Sequence, residues 1–473
     1  MSQGAIAGFK ASLGAERARD DQYTRELYSR DDTPEARLPA IVLFPHSHEE
    51  VQAIVRLAGR HRIPLTARGA GSGNVGGALP VEGGAVLSFE CMTQVLEYAP
   101  QERLIRVQSG CITGETDRIA SRDGLAYLPD PGSSPYCRIG GNLAMNAGGP
   151  HAVKYGVTRD YVLGLRAVTG RGETLETGVR TSKGVVGYDL TRLLVGSEGT
   201  LALITEATLR LAPRPAARAL LRAAYAQGTD ACAAVNRVMQ QDFLPSAVEF
   251  MDAYALAAVR GMGAANSLPD SSRALLMVEV DGEAADLPRQ LELMAVALSG
   301  AGLLQIDHGQ DEAAIAALWA ARKSLSPATK AMAPRKINED VVVPVPRLCD
   351  LLAEIEDIAS AERSGVGSLT AGELALIEQV RAAYQALIPI PCTACGYCQP
   401  CPQGVAIPRI FGIYNEGIMY DDLPGARDAY RNWLDATERA DLCVECHQCE
   451  EQCPQSIEIP TWLQQVHAQL LAV

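Results

Sequence analysis

The 473-residue chain has no surplus of positive charge: 42 Lys and Arg stand against 56 Asp and Glu, a net charge of −14. That excludes nucleic acid as a main partner, since no basic excess is there to displace counterions. An apolar stretch is also missing near the start. Met1 to Gln22 carries basic residues without the hydrophobic core of a secretory signal, so no export is expected. Nor is there a run suited to crossing a membrane. The one uncharged stretch long enough, Ala382 to Pro408, holds five prolines and four cysteines, which break a membrane helix. These absences predict a soluble, cytoplasmic protein. In a reducing compartment its 13 cysteines are expected to bind metal rather than pair as disulfides.

What is present suits a globular chain: 47% hydrophobic and 21% charged residues suffice for a sizeable core. At roughly 150 residues per domain the length implies about three domains. Composition divides the chain into an N-terminal helical segment (1–38), a Gly-rich region (39–213), an α+β region (214–360) and a Cys-rich end (361–473). In the Gly-rich region Glu49 to Arg60 reads as a helix with Val51, Ile54, Val55 and Ala58 on one face, followed by a strand at Ile63 to Thr66. Ala85 to Phe89, Leu104 to Val107 and Leu201 to Leu211 read as further strands, with a hairpin turn at Thr169 to Glu173. In the α+β region the pattern predicts a strand at Ala274 to Val280 and a helix at Leu287 to Leu298. A polar joint, Ala361 to Gly367, opens the last region. There Thr370 and Glu373 make a capping box for a helix carrying Leu374, Ile377, Val380, Tyr384 and Leu387 on one side.

Eight cysteines fall in the last 82 residues, in two groups. Cys392, Cys395, Cys398 and Cys401 form one; Cys443, Cys446, Cys449 and Cys453 form the other. Each ends in a matching octapeptide, Cys401-Pro-Gln-Gly-Val-Ala-Ile-Pro408 and Cys453-Pro-Gln-Ser-Ile-Glu-Ile-Pro460. This is an internal repeat whose second copy has one extra residue between its third and fourth cysteines. Three thiolates at two-residue gaps can wrap a corner of an iron–sulfur cube, and in two-cluster ferredoxins the fourth thiolate serves the other cluster. The expected sets are therefore Cys392, Cys395, Cys398 and Cys453 for one 4Fe–4S cluster, and Cys443, Cys446, Cys449 and Cys401 for the second. The alternative for Cys-x-x-Cys pairs is structural zinc. From about Gly365 to Leu471 the chain resembles the C-terminal iron–sulfur extension of ferredoxin-bearing aldo/keto reductases, in its Pro-Cys-Thr-Ala-Cys-Gly-Tyr-Cys run and in the helix bearing Asn415 and Glu416. In that family a (β/α)8 barrel precedes the extension; no barrel is expected here.

Three glycine stretches mark the Gly-rich region. The first is Arg68-Gly69-Ala70-Gly71-Ser72-Gly73-Asn74-Val75-Gly76-Gly77, whose small residues let backbone N–H groups converge on an anion. A Rossmann fingerprint can be traced through Gly71, Gly73 and Gly76, but Ala78 to Gly84 carries Pro80 and two glycines, which reads as loop and not as the helix such a fold requires. The second stretch runs from Asp130 through Ser133 and Ile139-Gly140-Gly141 to Asn146-Ala147-Gly148-Gly149; the third is Gly196-Ser197-Glu198-Gly199-Thr200-Leu201. Singly each could be a tight turn. Together and in this order they resemble the FAD-binding domain of the vanillyl-alcohol oxidase family, of the glycolate oxidase flavin-subunit and D-lactate dehydrogenase type, over about Leu27 to Leu352.

That resemblance implies an α+β chain: a two-subdomain FAD-binding fold, a truncated α+β cap domain and a small helical ferredoxin-like domain. It also implies that Arg68 to Asn74 bind the FAD pyrophosphate, that Ser133, Gly140, Gly141 and Asn146 to Gly148 line the flavin and ribityl chain, and that Glu198, Gly199 and Ile204 lie near the adenosine half. No histidine or cysteine falls in the pyrophosphate loop, so FAD is expected to be non-covalent. His151 is the histidine expected near the flavin and the candidate catalytic group. The chain departs from the family after Lys336 to Pro344 and the helix to Ile358: it lacks the His-Gly-Asp-Gly-like and Gly-Glu-His-Gly motifs that handle metal, substrate carboxylate and proton, and His308 stands in another context. The expected function is oxidation of a small 2-hydroxy acid with transfer of electrons through 4Fe–4S clusters to an acceptor protein or a quinone-linked partner. The alternative is an electron-transfer module without substrate chemistry.

Overall fold

In the N-terminal part, short apolar runs separated by a helix build parallel strand pairs. The computed structural model describes residues 2–471 apart from Ser182, Ala264, Asn266, 333–340 and 364–370. Thr370 of the expected capping box, residues 336–340 and most of the expected joint therefore lie outside the described residues. The first sheet has the order β1-β2-β4-β3, from β1 (Ala18–Arg19), β2 (Ile41–Leu43), β3 (Leu65–Arg68) and β4 (Ala85–Ser88). Both β2 and β3 run parallel to β4, and the N-terminal segment joins the sheet through antiparallel pairing of β1 with β2.

The helix between β2 and β3, His48–His61, begins where the Ser47 hydroxyl accepts the Glu50 N–H. Its Val51, Ile54, Val55 and Ala58 are buried against Ile41, Leu43, Ala85 and Leu87, with Phe9 and Leu13 of the helix Gln3–Leu13. The following strand starts at Leu65, two residues later than the sequence pattern suggests. The Ile63 N–H is spent on the Ala58 carbonyl at the helix end, and Pro64 has no N–H to give a ladder. No helix forms between Gly69 and Gly84, so the Rossmann arrangement is absent there.

The second sheet is antiparallel, in the order β5-β6-β10-β8-β9. Its strands are β5 (Val95–Ala99), β6 (Leu104–Gln108), β8 (Val162–Thr169), β9 (Thr174–Gly178) and β10 (Ala202–Arg210). The β8–β9 hairpin closes at the expected turn, with Gly172 N–H donating to the Thr169 carbonyl at 2.8 Å. A two-stranded piece, β7 (Leu125–Ala126) with β11 (Ala212–Pro213), ends this half. A four-stranded antiparallel sheet follows, ordered β13-β14-β12-β15, from β12 (Ala217–Tyr225), β13 (Ala247–Met251), β14 (Ala274–Gly282) and β15 (Leu303–Gly309). Helices Gly228–Met239 and Leu287–Leu298 cover one face, and Ala253–Gly261 and Glu312–Met332 the other. Because β12 and β14 are covered on both faces they read as nearly continuous apolar runs.

The chain separates into two units, Met1–Glu354 and Ile355–Val473. In the second, helices Ile407–Met419 and Ile459–Leu471 pack together. Each opens at the Ile-Pro that ends one copy of the repeated octapeptide, proline being well placed in a first helical turn. Ile410, Phe411, Tyr414, Leu463, Val466 and Leu470 fill the core between them. Asn415 bonds both the N–H and the carbonyl of Ile390, tying down the backbone just before Cys392. The helix Ala371–Leu387 leaves Leu374, Ile377, Val380 and Leu387 exposed. Among the described residues no helix is long and apolar enough to cross a membrane.

Candidate functional site

Strand β3 carries Arg68 to the start of the glycine loop. Gly71 has φ +68°, and a Cβ there would lie 2.2 Å from Arg68 Nη2, so any other residue would bring left-handed strain and displace the guanidinium. Arg68 Nη1 is buried with no hydrogen-bond partner. Beside this loop stands the N-terminal end of helix Ile139–Met145. A Cβ on Gly69 would meet Gly141 N at 3.4 Å, and one on Gly140 would sit 2.7 Å from Ser109 Cβ. The third stretch closes the group, with Gly196 N–H on the Leu143 carbonyl and Glu198 N–H on that of Ala144.

Arg68, Gly69, Gly140, Gly141, Gly199 and Ile204 thus line a single cleft, together with Phe89 and Leu203. Glu198 supplies the turn at φ +54°. Ala70, Ser72, Gly73 and Asn74 continue the loop without lining that cleft, and the Gly73 carbonyl accepts the Asp32 N–H. Ser133, Asn146, Ala147 and Gly148 do not line it either. The Ser133 carbonyl accepts from Cys137. Asn146 ends the helix in the left-handed region, its side chain accepting from Arg159 N, and Gly148 packs near Val157.

His151 follows that second stretch directly. Its Nδ1 meets Asp130 Oδ2 at 2.5 Å and its Nε2 meets Glu279 Oε1 at 2.9 Å. Glu279, 1% exposed on β14, also accepts from Trp319 Nε1 at 2.9 Å and lies 3.7 Å from Arg218. Burial alone would lower the His151 pKa, but the hydrogen bonds and charges of Asp130 and Glu279 outweigh it and raise it to about 10. Burial pushes Glu279 up most strongly, but the bond and charge of His151, the Trp319 bond and the charge of Arg218 together outweigh it, leaving it below its ordinary value. One turn on, Lys154 and Tyr155 reach Asp281 of the same strand, at 2.5 Å and 2.8 Å. Asp130, Glu279, Trp319 and Asp281 were not singled out from the sequence as site residues. Two charged residues inside the apolar run of β14 were the available signal, since buried carboxylates occur where partners wait.

In the second unit the eight thiols ring two chambers. Cys392, Cys395 and Cys398 line one together with Cys453; Cys443, Cys446 and Cys449 line the other, of about 590 Å³, together with Cys401 and the edge of Cys398. The fourth thiol of each repeat therefore stands with the other repeat's triplet. Burial raises Cys449 to about 11, and the negative charges of Cys443, Glu450 and Cys401 add to it. Bound metal reverses this effect, because it stabilises the thiolate. Among the described residues no three His, Cys, Asp or Glu side chains are gathered as a single metal ion needs. His447 pairs with Glu450.

Three stretches of the chain match known domain families. Residues 39–178 match an FAD binding domain, 214–383 the C-terminal domain of FAD linked oxidases, and 391–458 a 4Fe-4S dicluster domain. The glycolate oxidase subunit GlcD of Bacillus subtilis is 37% identical over 73% of this chain and 74% of its own length. A D-lactate dehydrogenase of Anaerostipes hadrus is 34% identical, covering 66% and 67%. A D-2-hydroxyglutarate dehydrogenase of Stutzerimonas stutzeri is 33% identical, covering 72% and 73%. Among solved structures an alkyldihydroxyacetonephosphate synthase superposes with TM-score 0.63 at 21% identity, over 76% of this chain and 75% of that one, which speaks to the fold alone. The chain belongs to the FAD-linked oxidoreductases of the GlcD and D-lactate dehydrogenase type, and carries an iron–sulfur domain after the flavoprotein part.

Proposed function

We propose that this chain oxidises a small 2-hydroxy acid of the glycolate or D-lactate type at non-covalent FAD and passes the electrons to two 4Fe–4S clusters. The observation that supports the reading is the presence in one chain of a glycine-lined cleft and of two groups of thiols in which each repeat's fourth cysteine stands with the other repeat's triplet. The cleft fits FAD in its chemistry: Arg68 Nη1 is a buried donor lacking an acceptor, and the glycines bring backbone N–H groups close to where a phosphate would lie. Arg68 and the Gly69 to Asn74 loop would hold the pyrophosphate, Gly140 and Gly141 the middle of the cofactor, and Gly199 and Ile204 the adenosine side. Ser133 and Asn146 to Gly148 would support the ribityl and ring end from outside the cleft. When bound, the flavin accepts a hydride and can release electrons one at a time, which suits one-electron clusters.

Cys392, Cys395, Cys398 and Cys453 would hold one cluster, and Cys443, Cys446, Cys449 and Cys401 the other. His151 has both ring nitrogens on carboxylates, so in this arrangement it fastens the flavin-side loop to β14 and does not take the substrate proton. The substrate class is supported by the relatives' names, and the acceptor would be a protein or a quinone-linked partner.

A second reading, an electron carrier with no substrate of its own, is favoured by the missing histidine motifs. Anaerobic rapid mixing separates the two. Bleaching of the flavin by D-lactate or glycolate, followed by reduction of the iron–sulfur absorbance, supports the dehydrogenase. Bleaching only by a reduced partner protein refutes it in favour of the carrier.

A further inference from the structure

Arg68 feels the charges of Asp31 and Glu90, yet its Nη1 is buried without a hydrogen bond, and a buried donor is unfavourable until an acceptor reaches it. Something other than hydrogen bonding must hold that nitrogen in place until then. The Tyr28 ring lies under the guanidinium, its centroid 5.4 Å from Arg68 Cζ, within the range of a cation–π contact. Tyr28 is itself 9% exposed and fixed at both ends. Its hydroxyl donates to Glu90 Oε2 at 2.5 Å, and Phe44 packs edge-on at 5.4 Å. Residues just beyond it run along the glycine loop. Asp32 N–H donates to the Gly73 carbonyl at 3.2 Å, and Lys330 Nζ meets Asp32 Oδ1 at 2.7 Å.

We propose that Tyr28 is a positioning residue for the cofactor. Its ring holds the Arg68 guanidinium, and the Asp32–Gly73 bond holds the loop, in place for the phosphates of FAD before FAD arrives. This rests on reading the Gly69 to Asn74 loop as the phosphate cradle. An ordered cation and an ordered loop lose less freedom on binding than mobile ones, so preorganisation tightens binding, and affinity differences among variants of one site lie mostly in the release rate. Tyr28 acts through Arg68.

The test is the rate at which FAD leaves the full-length holoprotein on dilution, followed by the rise of flavin fluorescence. Tyr28→Leu is expected to release FAD about tenfold faster, the scale of a desolvated cation–π contact. Tyr28→Phe keeps the ring and is expected to stay within about threefold of the wild type. Arg68→Ala should release FAD at least as fast as Tyr28→Leu. In the Arg68→Ala background, adding Tyr28→Leu should change nothing further, because the partner through which it acts is gone. A wild-type rate for Tyr28→Leu, or independent effects of the two substitutions, overturns the proposal. A wild-type rate for Arg68→Ala overturns the cradle itself, a separate result. Should the leucine variant not fold, Tyr28→His takes its place in the cycle: an intermediate rate supports the proposal and a wild-type rate overturns it.

Discussion

Raising the pH should loosen the fastening between the loop that carries His151 and β14, because the two carboxylates that His151 meets favour its protonated form. Its ordinary value of 6.5 is lifted to about 10: burial acts against the charge, and the bonds to Asp130 and Glu279 prevail. Each unit corresponds to about 1.4 kcal/mol, so the shift sets an upper bound on the order of 5 kcal/mol on what protonation contributes to folding. A folded-state value above the unfolded one means that this contribution is complete below pH 6.5 and is lost as the pH climbs toward 10. Glu279 moves the other way, its folded value lying below the ordinary 4.5; its share is present above pH 4.5 and lost in acid. Between these limits stability should show a plateau. The perturbation is the double variant His151→Gln/Glu279→Gln, which keeps size and hydrogen bonding while removing both titrating groups. Urea denaturation across pH 5 to 10 should show the largest stability gap between wild type and variant at pH 5 to 6.5, narrowing steadily above that. A gap that is constant up to pH 10, or an imidazole that titrates near 6.5 in the folded protein by NMR, would refute the reasoning.

Gly71→Glu should weaken FAD binding by at least about thirtyfold, since φ is +68°, the new Cβ would meet Arg68 Nη2 at 2.2 Å, and left-handed strain and overpacking together cost roughly 2–5 kcal/mol. Normal FAD content in that variant would show that the loop does not cradle the cofactor. Acid precipitation of the purified protein should leave the flavin colour in the supernatant; a yellow pellet would mean a covalent link. Cys453→Ala should damage the cluster held by Cys392, Cys395 and Cys398, whereas Cys446→Ala should damage the other, so low-temperature EPR of the reduced variants should lose different signals. Identical residual spectra would refute the crossed pairing.

Much of the architecture was legible because it rests on local chemistry. The helix face of Val51, Ile54, Val55 and Ala58 follows from its spacing and its Ser47 cap. The loop from Gly69 to Gly84 could not be a helix because Pro80 and repeated glycines disfavour one. The thiol pattern and the Ile-Pro at each repeat's end likewise announce their chemistry within a few residues of chain. The start of β3 was less legible, since it depended on a carbonyl at the end of the preceding helix taking the Ile63 N–H.

The sequence by itself determined which residues could serve: the glycines that let backbone approach an anion and the cysteines spaced to wrap a cluster. These are properties of side chains and short spans, and no folding is needed to read them. Only the tertiary structure decided which of them meet. It gathered Gly69, Gly140, Gly141 and Gly199 into one cleft and left Ser133 and Asn146 to Gly148 outside its lining. It set His151 between Asp130 and Glu279, residues 21 and 128 positions away, so that both ring nitrogens of the candidate catalytic group meet carboxylates. It laid Tyr28 under Arg68. Contacts of that range depend on how sheets and helices pack, and a buried charge takes its protonation state from whichever partners the packing delivers.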